Sequence, residues 1–312
     1  MRPILHHYPN SPFAEKARLM LGFKGLEWTS VEIPAVMPKP DVVALTGGYR
    51  RTPIMQLGAD IYCDTALIAR VLERLKPEPS LFPPASAGLA PIVAQWADWT
   101  LFWAAVPYTL QPAGLAHMFS GMPPEVLTAF GEDRAAFRKL VPPMRPAEAI
   151  QTLSTYLEYL DRLLGDDRKH VLGAAASIAD FSVYHCLWFV SRGGPLAAIL
   201  DKYPRIQSWF ARMKQIGHGV SDRMDSKAAV ELAASSKPAA VSPEEFIETH
   251  RLPLGAAVTV AAVDYGTDPV AGELMISRPD EIGVRRTDAR AGTVVVHFPR
   301  VGFEIRKLEQ AA

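Results

Sequence analysis

Strand-like and helix-like runs alternate through the first 78 residues, and few folds accept that order in so short a span. Ile4–Tyr8 reads as a strand. Pro12–Lys24 carries Phe13, Ala17, Met20, Leu21 and Phe23 near helical spacing. Gly25 follows as a C-cap. Glu27–Ile33 alternates apolar and polar residues, and Lys39–Leu45 predicts a short helix or turn. Ile54–Leu57 and Ile61–Cys63 predict two short strands joined by the tight turn Gly58-Ala59-Asp60. Thr65–Lys76 then places Leu67, Ile68, Val71, Leu72 and Leu75 on one helical face. This order predicts an α/β layer architecture.

The pattern changes twice further on. Prolines 79, 83 and 84 with Gly88 mark a linker, and from Ile92 to about Leu232 the periodicity is helical. A Trp-rich helix is expected over Ile92–Tyr108, followed by a polar, proline-punctuated stretch to Pro146. Further helices are expected over Ala147–Leu164, Ile206–Ile216 and Asp222–Ala234. Ser177-Ile178-Ala179-Asp180 has the form of a capping box before the apolar run Phe181–Val190, which accounts for both polar residues structurally. A second linker begins near Ser235. A short helix is expected over 244–250. Five strand-like runs come next: Ala257–Ala262, Gly272–Ile276, Ile282–Arg286, Thr293–His297 and Phe303–Leu308, separated by turn signals. They predict a small β-barrel of SH3-like or OB-like type. The expected domains are 1–78, 88–234 and 242–312, a division consistent with a chain of 312 residues.

Composition narrows the function classes. Lys plus Arg and Asp plus Glu are each 33, so no electrostatic signature of a nucleic-acid or membrane binder is present. The most apolar segment, Pro91–Leu110, is interrupted by Gln95 and Asp98 and reads as a buried helix. Cys63 and Cys186 lie far apart, which indicates neither a disulfide scaffold nor a zinc site. Free thiols and the lack of a signal-peptide pattern suggest a cytoplasmic protein. His6 and His7 face opposite sides of a strand, and no metal site is expected from them.

Ser11 is the first candidate for chemistry. With Pro12 preset for the first helical turn, its hydroxyl stands among unpaired backbone N–H groups at the positive end of a helix dipole. A thiolate placed there would be stabilised, and an N-cap role explains the same residue. Asp64-Thr65 likewise reads as an N-cap or as a ligand-binding pair, and Lys39 as a ligand contact or a solvated lysine. The aromatics Trp96, Trp99, Phe102 and Trp103 fit a helical core or a pocket lining.

The segment Ser11-Pro12-Phe13-Ala14-Glu15-Lys16-Ala17-Arg18 resembles the glutathione transferase family. It is closest to the omega-like class, which has Cys-Pro-Phe-Ala at the equivalent place. Thr52-Pro53-Ile54 resembles the family's Val-Pro-Val, whose proline is cis and whose preceding residue pairs through its backbone with the cysteinyl part of glutathione. Asp64-Thr65 resembles the acidic-plus-hydroxyl pair that opens the third helix. Lys39 precedes Pro53 by the spacing of a glutathione-contacting lysine. The resemblance spans about residues 1–220. It implies a thioredoxin-like domain, an all-helical domain and a homodimer, with the C-terminal β segment outside it.

That resemblance implies glutathione as co-substrate. Asp64 would hold its ammonium, Thr65 the adjacent carboxylate, and Lys39 and Arg51 the glycine carboxylate. Ser11 would face the sulfur, with Tyr8 as a competitor, since tyrosine-type members place their catalytic residue at the end of the first strand. Phe13, Trp99, Phe102, Trp103 and Tyr108 would line a pocket for a small hydrophobic electrophile. A hydroxyl cannot form a mixed disulfide, so the implied reactions are conjugation, peroxide reduction or dehalogenation, in a detoxification role. The added β domain supports a different reading as well, a non-catalytic binding protein on the same scaffold.

Overall fold

The computed structural model describes residues 1–138, 141, 144–165, 168–242, 245–247 and 250–308. Its first unit runs β1 (Ile4–His7), α1 (Pro12–Phe23), β2 (Trp28–Glu32), α2 (Pro40–Thr46), β3 (Ile54–Leu57), β4 (Asp60–Cys63) and α3 (Thr65–Leu75). β1 pairs parallel with β2 and antiparallel with β3, and β3 pairs antiparallel with β4. This is the α/β layer that the alternation predicts, in the thioredoxin-like form that the resemblance implies.

The helical unit holds α4 (Leu89–Trp96), α5 (Phe102–Thr109), α6 (Pro112–Met118), α7 (Pro124–Phe137), α8 (Pro146–Leu163), α9 (Ile178–Ser191), α10 (Pro204–Gln215) and α11 (Ser226–Ser235). The Trp-rich helix is continuous but widens into a π-helical turn over Ala97–Leu101. The stretch before Pro146 contains α6 and α7, which the proline punctuation conceals. α7 buries none of its residues fully, so it carries no apolar stripe to reveal it. Asp180 accepts from the N–H groups of Val171 and Ser177 at 2.8 and 2.9 Å and from the Trp209 indole at 3.0 Å. The capping box is therefore a fully buried structural joint.

The five C-terminal strands form as expected: β6 (Ala257–Ala262), β7 (Val270–Ser277), β8 (Glu281–Asp288), β9 (Gly292–Pro299) and β10 (Phe303–Lys307). The helix expected over 244–250 falls in good part outside the described residues. β6 to β9 form an antiparallel meander, and β10 returns to pair with β6. The β domain does not close on itself. β9 pairs in parallel with β4, Asp60 opposite Val295 and Tyr62 opposite His297. A short strand, β5 (Ser221–Arg223), pairs with β2 at the other end and takes the first residues of the helix expected over Asp222–Ala234, which begins instead at Ser226 behind its Asp225 cap. One ten-stranded sheet results, in the order β10-β6-β7-β8-β9-β4-β3-β1-β2-β5. The physical reason is edge pairing: β4 would otherwise present a row of unsatisfied N–H and C=O groups.

The core divides into two clusters. One joins α1 and α3 to the helical unit, through Leu5, Met20, Leu67, Ile68, Leu101 and Phe181. The other joins Ile4, Val31, Leu45, Ile54 and Ile61 to Val230 of α11 and to Val258, Val284, Val296 and Phe298 of the C-terminal strands. Among the described residues no helix is long and apolar enough to cross a membrane.

Candidate functional site

Three elements of the first unit meet beside Pro53. His6 pairs with Ile54 across β1–β3, and Ile54 pairs with Cys63 across β3–β4. The next residues outward are His7 at the end of β1, Pro53 just before β3 and Asp64 just after β4. Beyond β1, Ser11 caps α1: its backbone is extended, and its Oγ accepts from the Ala14 N–H at 3.2 Å. The same Oγ lies 3.5 Å from the Thr52 carbonyl, too long for a strong hydrogen bond. The Thr52–Pro53 bond is cis. Ser11 is 2% exposed, and the cap and the contact with Thr52 coexist.

Asp64 caps α3, its Oδ1 accepting from the Ala66 N–H at 2.9 Å. Its φ of +72° lies in the left-handed region that a non-glycine residue enters only under constraint. Such strain, of order 1–3 kcal/mol, concentrates at ligand clamps. Burial raises the Asp64 carboxyl, against the pull of Arg51, whose guanidinium is 3.8 Å away. A cationic group entering beside it would stabilise the charged form. Thr65 is buried, and its Oγ1 accepts from Lys16 Nζ at 3.1 Å.

Cations gather on the other side of Thr52. Lys39 is 4% exposed, donates to Thr52 Oγ1 at 3.2 Å and stands 5.7 Å from the centre of the Tyr8 ring. Arg50 pairs with Asp133 of α7 at 2.6 Å, and Arg134 pairs with the same carboxylate. Arg134 also donates to the Tyr8 hydroxyl and to the Ala35 carbonyl, each at 3.1 Å. Burial first, then the charges of Arg134 and Arg50, lower the Lys39 ammonium to about 8, with Asp133 opposing. Arg50 and Arg134 share the Asp133 carboxylate, and Lys39 feels the charge of both, so an incoming carboxylate would relieve their repulsion.

The other sequence candidates divide. Arg51 is turned toward the C-terminal domain. It pairs with Asp264, its Nε donates to the Tyr265 carbonyl at 3.0 Å, and its guanidinium lies 3.9 Å from the Tyr265 ring centre. Trp99 and Trp103 surround that same ring, at centroid separations of 6.3 and 5.6 Å. Phe13 packs on Phe102 at 4.8 Å. Tyr108 belongs to the helical core, where its hydroxyl donates to the Leu196 carbonyl at 2.8 Å.

Sequence reasoning misses several participants. Lys16 is fully buried and binds Asp98, on the π-helical turn, at 2.6 Å. Asp98 also accepts from His185 at 2.9 Å, and these two partners overcome its burial and hold its carboxyl down to about 2. Arg134 is concealed with α7, and so is the partner that marks Arg50. Asp264 and Tyr265 carry only a turn signal. A π-turn often marks a functional position and is invisible to a helical-period search. A separate cleft of about 490 Å³ is lined by His7, Glu15, Arg18, Tyr184, Trp188 and His218, among others, and touches none of Ser11, Lys39, Thr52 or Asp64.

Comparison with known proteins agrees with the fold. Residues 5–80 match the family described as Glutathione S-transferase, N-terminal domain, and residues 143–212 match Glutathione S-transferase, C-terminal domain. The solved structure of a GST-like protein from Pseudomonas syringae is 42% identical, with a TM-score of 0.83, and the match covers 98% of this chain and 99% of that one. That coverage takes in the C-terminal strands. FzlA from C. crescentus is 21% identical, with a TM-score of 0.52, over 69% of this chain and 88% of its own. The beta-etherase LigF from Sphingobium is 17% identical, with a TM-score of 0.51, over 69% of this chain and 98% of its own. At such identities these two share the fold alone. No curated protein matches the sequence.

Proposed function

This chain belongs to the glutathione S-transferase family, and from that premise we propose that it binds reduced glutathione across Thr52-Pro53 and activates its thiol at Ser11 for attack on a small electrophile or peroxide. The observation that carries this reading is the polarity of the site. An acidic cap, Asp64, stands on one side of Thr52-Pro53, and the cluster Lys39, Arg50 and Arg134 stands on the other. A tripeptide with an ammonium near one end and a carboxylate at the other matches that order. Asp64 takes the ammonium by a charge-assisted bond, and Thr52 supplies backbone groups to the middle. Arg134 takes the carboxylate role that the resemblance implies for Arg51, because Arg51 is already paired with Asp264.

Ser11 then faces the sulfur. Its O–H has only the long contact to Thr52 as an acceptor among the described residues, so the proton is free to turn to a thiolate. Donation to the anion, together with the helix N-terminus, lowers the thiol's pKa and populates the nucleophile near neutral pH. Tyr8 is the weaker candidate because it stands among the cations assigned to the carboxylate end: its ring centre is 5.7 Å from Lys39 Nζ, and its hydroxyl oxygen accepts from Arg134. The family also supports a homodimer, which light scattering on the purified chain would test.

Calorimetric titration with reduced glutathione is expected to show saturable binding that weakens at least about tenfold in Asp64→Ala, the loss of one charge-assisted bond of about 1.5–3 kcal/mol. Ser11→Ala should then lower kcat on the order of 100-fold, in line with removal of one anion-stabilising donor, while Tyr8→Phe keeps most turnover. Turnover that survives Ser11→Ala and vanishes in Tyr8→Phe would transfer the role to Tyr8. Absence of binding at millimolar glutathione would end the reading altogether.

A further inference from the structure

We infer that Tyr265, delivered by the C-terminal β domain, is the size-setting wall of the electrophile pocket and restricts this transferase to compact electrophiles. The inference rests on the glutathione reading above and deepens it. The loop between β6 and β7 reaches over the first unit and ends against the helical one. Asp264 and the Tyr265 carbonyl are held by Arg51, and Arg51 lies 3.8 Å from Asp64, the residue assigned to the glutathione ammonium. Tyr265 is thereby fixed at the border between the glutathione site and the aromatic residues of the helical unit.

Its ring occupies the space those aromatics would otherwise leave open. Trp99 stacks on it at 6.3 Å and 24°, while Trp103 meets it edge-on at 5.6 Å and Phe137 at 5.2 Å. Arg51 covers one face at 3.9 Å. Even so, Tyr265 as a residue is only half-buried.

The loop is built for this seat. The Gly266 N–H donates to the Phe137 carbonyl at 2.9 Å, and Gly266 has a φ of +54°. A Cβ on Gly266 would stand 2.7 Å from the Phe137 ring, so only glycine permits so close an approach. These tethers describe a fixed wall. Phe13, two residues past Ser11, packs on Phe102 at 4.8 Å, and Phe102 in turn meets Trp103, the ring edge-on to Tyr265. On this inference a fused-ring electrophile needs the volume that Tyr265 fills, and a compact one does not.

The test uses the full chain and the variants Tyr265→Ala, Tyr265→Leu and Tyr265→Phe. The first readout needs no glutathione: fluorescence titration with 8-anilinonaphthalene-1-sulfonate. Tyr265→Ala should bind the dye roughly tenfold more tightly than the parent, a change on the scale of enlarging an apolar pocket, and Tyr265→Phe should match the parent. The second readout is the ratio of kcat/KM for a naphthylmethyl chloride to that for 1-chloro-2,4-dinitrobenzene at saturating glutathione. That ratio should rise roughly tenfold in Tyr265→Ala with the glutathione KM unchanged.

If the alanine variant does not fold, Tyr265→Leu keeps apolar bulk over Arg51 without the width of the ring, and both readouts should move the same way. An unchanged ratio, or a rise in the glutathione KM alone, overturns the inference, as does equal dye affinity in all folded variants. If the parent turns over neither electrophile, the dye titration by itself decides whether Tyr265 walls a pocket, and the glutathione reading is decided separately by the calorimetric titration.

Discussion

Replacing His297 with leucine is expected to cost the fold about 3 kcal/mol at pH 6, the lower end of the range for removing one partner of a buried ion cluster. His297 sits in β9 at the seam with β4, its side chain 5% exposed. Its Nδ1 bonds Glu281 at 2.7 Å and its Nε2 bonds Asp60 at 3.0 Å, while Tyr62 stacks on the ring at 4.4 Å. Burial pulls the imidazole down, but the hydrogen bonds to Asp60 and Glu281 outweigh it and leave the pKa raised above 6.5. Glu281 is buried as well, yet His297 and Arg74 hold its carboxyl down to about 2. Leucine would strand two carboxylates across the joint. Arg74, 3.1 Å from Glu281, would still neutralise one of them, which is why the lower end of the range applies.

The linkage signs give this prediction a pH signature. A raised histidine contributes stability that is fully present below about pH 6.5 and is lost as pH rises through the higher folded value. A depressed glutamate contributes stability that is present above about pH 4.5 and is lost as pH falls toward 2. Both contributions are complete between roughly pH 4.5 and 6.5. Urea unfolding of the parent and of His297→Leu should therefore differ most near pH 6 and converge toward pH 9. His297→Gln, which keeps a donor without the charge, should fall between them. A gap that stays constant from pH 6 to 9 would mean that the histidine packs the seam as a neutral ring.

This seam also shows where sequence legibility stops. β9 is readable as a strand, and its register of buried residues is partly readable too. Val294-Val295-Val296 and Phe298 form a nearly continuous apolar run, as in a strand covered on both faces. Periodicity gives a strand and its faces but not its neighbour, so the pairing with β4 stays hidden. The first unit is legible because each element closes on partners a few dozen residues away and carries its own cap: Ser11, Gly25, Asp64. The candidate site is legible where its residues sit in those caps, and illegible where it depends on distant chain. Arg51 finds Asp264 more than 200 positions later, and Asp133 and Arg134 lie on a helix that buries no apolar face. Tyr265 has the look of an ordinary turn residue because the reason for its ring is the group of aromatics on two other elements.

Ending the chain after residue 241 is expected to leave an insoluble product, and the second core cluster shows why. Ile4, Val31, Ile54 and Ile61 of the first unit share that cluster with Val258, Val284, Val294, Val296 and Phe298. Each of these side chains is at most 5% exposed in the full chain. Removal of β6–β10 uncovers that face at about 25 cal/mol per Å² of apolar surface, and it also frees the N–H and C=O row of β4. An apolar face beside an open strand edge is a template for aggregation. Asp60 would lose His297 and keep the Ala239 N–H as its close partner. Relatives that match only about two thirds of this chain show that the fold can exist without the extension, yet this sequence has tailored its exposed edge to one. Expression of residues 1–241 should thus give mostly pelleted material, and charged substitutions at Ile61 and Val31 should recover part of it. A soluble truncated chain with an unchanged far-UV spectrum and a melting temperature within a few degrees of the parent would refute this, and would make the β domain an appendage, not a part of the fold.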